Sequence, residues 1–284
     1  MVIQHNIPGI NANRNKGISQ DKLKKNLEKL SSGYRINRAG DDAAGLTLSE
    51  LMRSQINGLN QAIRNVNDGI SMAQTGEGAL TEVHAMLDRL KTLAVQSANG
   101  TYTTLARESL DLEREQLLDE INRIARNSNF DGIPLFGKGN PQGPPIPQLV
   151  EAPDDRIPLQ IGYTKEEILD VHRYQLGSKE LLLEDTRFLT LEDSNKAIES
   201  IEVAIEAVSD IRADFGSAQN HLEHTHNNLS VTTENMTAAE SQIRDTDMAN
   251  EVTEFTKNNI FYQAANSMAA QANAVVQNVL SLLQ

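Results

Sequence analysis

The sequence predicts a mainly α fold: long antiparallel helices forming a coiled-coil rod, with a small β-hairpin region in the middle of the chain. Three observations predict it. Apolar residues recur in four-three steps over long stretches at both ends, the spacing that keeps one stripe of a helix facing a partner. Aromatic residues make up only 4% of the 284 residues and Trp is absent. Leu, Ile, Val and Ala must therefore fill the core, as they do in helical bundles. Every proline except Pro8 lies within 134–158, so the flanks are free of helix breakers.

Leu23, Leu27, Leu30 and Tyr34 form a short first seam. It stops at Ser31-Ser32-Gly33, a sequence suited to ending a helix. Asp41 and Asp42 precede Ala43-Ala44-Gly45-Leu46, where acids cap free N–H groups and favour the helix dipole. A long helix follows, with Met52, Ile56, Leu59, Ile63, Val66, Ile70 and Ala73 on one seam. The phase slips near Gly76 and Gly78, and Leu80, Val83, Leu87, Leu90 and Ala94 take it over. Unbroken over 43–97, this helix would be about 80 Å long at about 1.5 Å per residue.

Asn99-Gly100-Thr101 reads as a turn into an antiparallel helix carrying Leu110, Leu117, Ile121 and Ile124. Asp131-Gly132 is a tight-turn pair between apolar residues. The proline-rich stretch 134–158 is expected to be extended chain and turns. Leu159-Gln160-Ile161-Gly162 and Glu180–Leu189 are expected as short strands. Helix returns near Leu191, and Ala204, Val208, Ile211, Phe215, Ala218, Leu222, Thr225, Leu229, Thr232, Met236, Ala239 and Ile243 keep four-three spacing.

Residues 258–284 carry no charge, in a chain that is 23% charged with net charge −13. Phe261, Met268, Val275 and Leu282 recur every seven residues, with Ala265, Ala272 and Val279 between them. An apolar strip of this size is rarely left exposed, so the tail implies assembly with other helices. With Leu23, Leu27 and Leu30 it makes a candidate polymerisation seam. An isolated helix gains little without packing, so the tail is expected to be disordered until it assembles. Asn266, Gln271, Asn273, Gln277 and Asn278 argue against membrane insertion.

The chain has no Cys, which removes disulfides and thiolate chemistry. Its net charge argues against nucleic-acid binding. The N-terminal residues show no apolar signal region, so export is expected to need no cleaved signal peptide. No phosphate loop, nucleophile elbow or catalytic carboxylate pair stands out, and no cofactor or metal is expected. His221 and His224 share a helix face but His226 lies off it, the pattern of solvated histidines more than of a metal site.

At this point the sequence resembles bacterial flagellin. The N-terminal match is Leu30-Ser31-Ser32-Gly33-Tyr34-Arg35-Ile36-Asn37, then Asp41-Asp42-Ala43-Ala44-Gly45-Leu46, Asp68-Gly69-Ile70-Ser71, Glu77-Gly78-Ala79-Leu80 and Leu93-Ala94-Val95-Gln96. The C-terminal match includes Ile243-Arg244-Asp245, Asp247-Met248-Ala249, Ala270-Gln271-Ala272-Asn273 and Val279-Leu280-Ser281-Leu282-Leu283. The resemblance covers roughly 1–136 and 190–284. Gly76, Gln242 and Val276 depart from the family's usual residues, and the middle is short for the family.

The resemblance implies a structural subunit of the extracellular flagellar filament, not an enzyme. It implies export by the flagellar type III apparatus and polymerisation beneath a filament cap. An export chaperone, the hook–filament junction proteins and further copies of the chain would be partners. Residues 1–40 and 244–284 would form the coiled-coil filament core. Residues 41–136 and 190–243 would form a helical rod domain, with 137–189 as its β-hairpin surface segment. Arg89, Leu93 and Glu113 match positions through which flagellins engage a host Toll-like receptor. By their own chemistry, Arg89 and Glu113 also suit a helix–helix ion pair, and Leu93 lies next to the core seam. Arg35, Arg38, Asp41 and Asp42 read as helix capping or as a register element. The alternative identity is a hook–filament junction protein, which shares flagellin-like ends.

Overall fold

The first helix, α1 (Ile7–Ser32), begins where the Asn6 side chain accepts a hydrogen bond from the Gly9 N–H at 3.0 Å. It ends at Gly33, whose φ of 76° turns the chain left-handed and lets its N–H reach the Lys29 carbonyl at 2.8 Å. This is the stop expected from Ser-Ser-Gly. The structure is a computed structural model that describes residues 6–136 and 156–281. Leu282 and the prolines between 137 and 155 lie outside the described residues, and of Val279 only the backbone is described.

Asp42 caps α2 (Ala43–Ser97) by accepting from the Gly45 N–H at 2.9 Å. This helix runs 55 residues without a break, as the seam predicts. At Gly76, where the phase slips, a Cβ would lie 3.0 Å from the Phe215 ring, so the bare backbone makes room for an aromatic on the facing helix. Turn hydrogen bonds at 98–102 reverse the chain, and the Thr103 hydroxyl caps α3 (Thr104–Asn127) by accepting from Ala106 N–H. Two short strands, β1 (Asn129–Phe130) and β2 (Ile133–Pro134), then pair antiparallel. Asp131 and Gly132 between them both have positive φ, 50° and 79°, as a two-residue hairpin turn requires.

A second hairpin pairs β3 (Arg156–Gln160) with β4 (Ile168–His172). Leu159 and Gln160 are thus in a strand, as expected. Glu180–Leu189 is not. There, turn bonds from the Leu181, Leu182 and Leu183 N–H groups reach back to Gly177, Lys179 and Ser178. Leu181 and Leu183 are buried while Leu182, at φ 56°, points out. A compact turn thereby produces the buried–exposed–buried alternation that a strand would give. Two long helices close the chain: α4 (Leu191–Arg244) and α5 (Met248–Ser281).

The chain divides into two compact units, Met1–Asn57 with Thr233–Gln284 and Gly58–Thr232. In the second, α2, α3 and α4 converge on one core. Leu80, Leu87 and Leu90 of α2, Ile121 of α3 and Ile201 of α4 are at most 1% exposed. Each such side chain contributes about 1.5–3 kcal/mol by leaving water. Of the residues expected on the α3 face, Ile121 is fully buried and Leu110, Leu117 and Ile124 pack against the core. Phe188 seals the core from the 173–190 segment. Its N–H donates to Asp111 at 3.0 Å, its carbonyl accepts from Ser97 at 2.7 Å, and the Arg114 guanidinium lies over its ring.

Candidate assembly surface

In the first unit α1 and α5 lie antiparallel. Asn6 donates to the Ala272 carbonyl at 3.1 Å, Lys16 to Asn266 at 2.8 Å, and Asn258 to Asn26 at 3.0 Å. The tail expected to be disordered is therefore helical through Ser281, because α1 supplies a facing helix.

The contact mixes small and polar residues with a few large ones. On α1 the stripe facing α5 runs Gly9, Ala12, Lys16, Ser19, Leu23, Asn26 and Leu30, all at least half-buried. On α5 it runs Glu251, Phe255, Asn258, Tyr262, Ala265, Ala269, Ala272 and Val276. Both keep strict four-three spacing. Toward the linker end of the pair, where α1 stops and α5 begins, sits a buried polar layer. The Asn26 amide donates to the Glu251 carboxylate and accepts from Asn258, and Lys29 lies 3.6 Å from Glu251. A polar layer in such a contact fixes how the helices align.

Below that layer the two linkers are tied. Tyr34 and Asp245 form an antiparallel bridge, and Arg35 N–H donates to the Arg244 carbonyl at 2.7 Å. The Arg244 guanidinium stacks on Tyr34 at 4.7 Å and donates to Glu50 at 2.7 Å, while the Arg35 guanidinium reaches the Ile243 carbonyl. Arg38 pairs with Glu28 at 2.7 Å. Asp41 accepts from the Arg38 N–H, which holds its carboxyl below the usual carboxylate range, with Lys25 and Lys29 adding to the effect. Of the two acids read as helix caps, Asp42 caps α2, whereas Asp41 closes the turn before it by accepting from Arg38.

The seam singled out in the sequence lies on a different face. Phe261, Met268 and Val275 are 53%, 63% and 45% exposed. At about 100° per residue they sit roughly a quarter turn from the stripe that touches α1. Only Ala265 and Ala272 are shared between the two faces. On α1, Leu23 and Leu30 face α5, whereas Leu27 is exposed, as are Ile7, Ile10 and Ile18. The three isoleucines were not singled out in the sequence, although their spacing places them together on the side away from α5.

In the second unit, Arg89 and Glu113 form an ion pair between α2 and α3, with N–O distances of 2.8 and 2.7 Å, and both remain exposed. Leu93 is fully buried in the core, so its side chain presents no surface here. His221 and His224 are exposed on α4 and His226 is half-buried. Among the described residues no group of three or more His, Asp or Glu is placed to hold a metal, and no helix is long and apolar enough to cross a membrane.

Long helices and a terminal helix pair that leaves large apolar residues outside mark a subunit built to pack with further helices. Models of the bacterial flagellin N-terminal and C-terminal helical regions match residues 3–140 and 198–283. The chain belongs to the bacterial flagellin family, whose members are structural proteins of the extracellular flagellar filament. It is 46% identical over 286 residues to a flagellin of Halalkalibacterium halodurans, with all of both chains covered. It is 42% identical to the flagellar filament 31.3 kDa core protein of Treponema maltophilum and to a flagellin of Bacillus subtilis, again over the full length of both. The crystal structure of Bacillus cereus flagellin, 32% identical, superposes with a TM-score of 0.50 over 62% of this chain and 94% of that one.

Proposed function

We propose that this chain polymerises with copies of itself into the flagellar filament through the open faces of its terminal helices. The observation that carries this reading is the row Phe261, Met268 and Val275: large, exposed, seven residues apart, on a helix whose adjacent face is already occupied by α1. Burying that row needs further helices, and identical chains supply them. In this reading Leu27, Val279 and Leu282 join that row in the filament core, while Leu23 and Leu30 hold α1 to α5 within it. Residues 1–40 and 244–284 form the filament core, 41–136 and 190–243 the surrounding rod domain, and 137–189 its surface segment. The bridge between Tyr34 and Asp245, close to both core boundaries, supports that division.

The test is seeded elongation of a Phe261→Ser/Met268→Ser variant, followed by electron microscopy. Both side chains are solvent-exposed, so folding is expected to be unchanged. Elongation is expected to fail. Normal filament growth by this variant would sink the reading.

Family membership supports a further part of this proposal: export through the flagellar type III apparatus, with its chaperone, filament cap and hook–filament junction proteins as partners. Deleting 1–40 and assaying secretion from living cells tests it, retention inside the cell being the expected result. Full-length identity of 46% to a flagellin supports this reading over the junction-protein alternative. Host Toll-like receptor contact is proposed at the exposed Arg89–Glu113 pair, with the buried Leu93 positioning α2 beneath it. Arg89→Ala/Glu113→Ala is expected to weaken receptor binding without loss of fold, and unchanged binding would exclude the pair.

A further inference from the structure

Two exposed helix faces elsewhere in the molecule carry matched and opposite patterns. On α1, Arg14, Ile18, Lys22 and Lys25 follow steps of four, four and three, so they share the face turned away from α5. On α4, Glu199, Val203, Glu206 and Asp210 follow steps of four, three and four and likewise share one outer face. Each stripe is one exposed β-branched residue among like charges. Ile18 is 49% exposed and Val203 53%. All six charged residues flanking them are exposed. Set side by side in parallel, Arg14, Ile18, Lys22 and Lys25 meet Glu199, Val203, Glu206 and Asp210, acid to base and apolar to apolar.

The charge is not satisfied locally. Arg14, Lys22, Glu199, Glu206 and Asp210 make no ion pair among the described residues, and Lys25 has only a 3.7 Å contact with Asp41. Nor is it a general property of the surface. Within α1, Arg14, Lys16, Lys22, Lys24, Lys25 and Lys29 outnumber Asp21 and Glu28, in a chain of net charge −13. In α4 ten acids face three bases. A cationic, part-apolar stripe on one element and its anionic counterpart on another suit a head-to-tail contact between identical molecules.

We propose that the Arg14–Ile18–Lys22–Lys25 face of α1 docks on the Glu199–Val203–Glu206–Asp210 face of α4 in a second copy of this chain. The proposal rests on the filament reading and names one of its contacts. Like charges brought together across such a contact repel, whereas complementary ones set its orientation and rate of formation.

The test uses two full-length variants. One carries Lys22→Glu/Lys25→Glu, the other Glu206→Lys/Asp210→Lys. All four positions are exposed, and circular dichroism checks that both variants keep the parent's helicity. Each alone is expected to elongate from parent seeds at least about tenfold more slowly than the parent, because every contact then joins like charges. An equimolar mixture is expected to recover most of the rate, since alternating copies restore both pairings. Growth of either variant alone at the parent's rate overturns the proposal. So does a mixture no faster than the separate variants, the result if the two faces meet within one chain. A parent chain that does not elongate overturns the filament reading and this contact with it.

Discussion

The Gly58–Thr232 unit and the α1–α5 pair solve the burial problem in opposite ways. The first puts its large side chains inside: Leu80, Leu87, Leu90, Ile121, Ile201 and Phe188 are at most 1% exposed. The second puts small and polar groups at its contact, among them Gly9, Ala12, Ser19, Asn26 and Ala269, and leaves Phe261, Met268, Ile7 and Ile10 outside. A core of large side chains yields stability within one molecule. A contact that mixes small and polar groups with a few large ones yields alignment, because its polar layer is satisfied in one register only. The difference separates what the chain does alone from what it does in company.

The largest effect that would sharpen this contrast is in the core. Leu87→Ala is expected to cost about 2–5 kcal/mol of the second unit's stability, through lost burial and the cavity left behind. Thermal unfolding monitored on that unit measures it. A loss comparable to that of an exposed substitution would break the contrast. A smaller effect is expected in the zipper. Asn26→Ala strands the buried Glu251 and Asn258, at about 1–3 kcal/mol, and the cost is confined to the terminal pair. Hydrogen exchange should show faster opening of α1 and α5 with the 58–232 unit unchanged. Spread of the effect into that unit would contradict the separation. The smallest effect concerns Asp41. Its carboxyl titrates lower in the folded chain than in the unfolded one, so its contribution is present above about pH 4 and fades as pH falls through the lowered value. Asp41→Asn should remove that acid dependence around the linker, as followed by exchange of the Arg38 amide.

Much of this was legible in the sequence where local chemistry decides structure. Gly33, Asp42 and the Asp131-Gly132 turn sit at the ends predicted for them, because capping and positive φ are short-range requirements. The long α2 and α4 seams are legible for the same reason: their large apolar residues meet one another inside a single chain. The α5 face was harder. Hydrophobic periodicity selects the stripe with the largest apolar residues, which is Phe261, Met268 and Val275. The stripe that meets α1 is marked instead by Asn258, Ala265 and Ala269, which no hydropathy scan would pick first. Glu180–Leu189 misled for a related reason, since a short apolar run such as Leu181-Leu182-Leu183 suits a strand and a compact turn alike. The buried position of Leu93 was within reach, given its place beside Leu90 and Ala94. The pairing of Arg89 with Glu113 was legible as well, because the Asn99-Gly100-Thr101 turn makes α2 and α3 antiparallel neighbours.

Phe136 ends the second strand's extension. It is 2% exposed, forms a bridge with Tyr174 and meets the Phe215 ring edge-on at 6.4 Å, while Tyr174 donates to Asp214 at 2.7 Å. These contacts tie together three stretches that are far apart in the sequence. This corner of the molecule therefore answers to substitutions in three separate stretches of sequence at once.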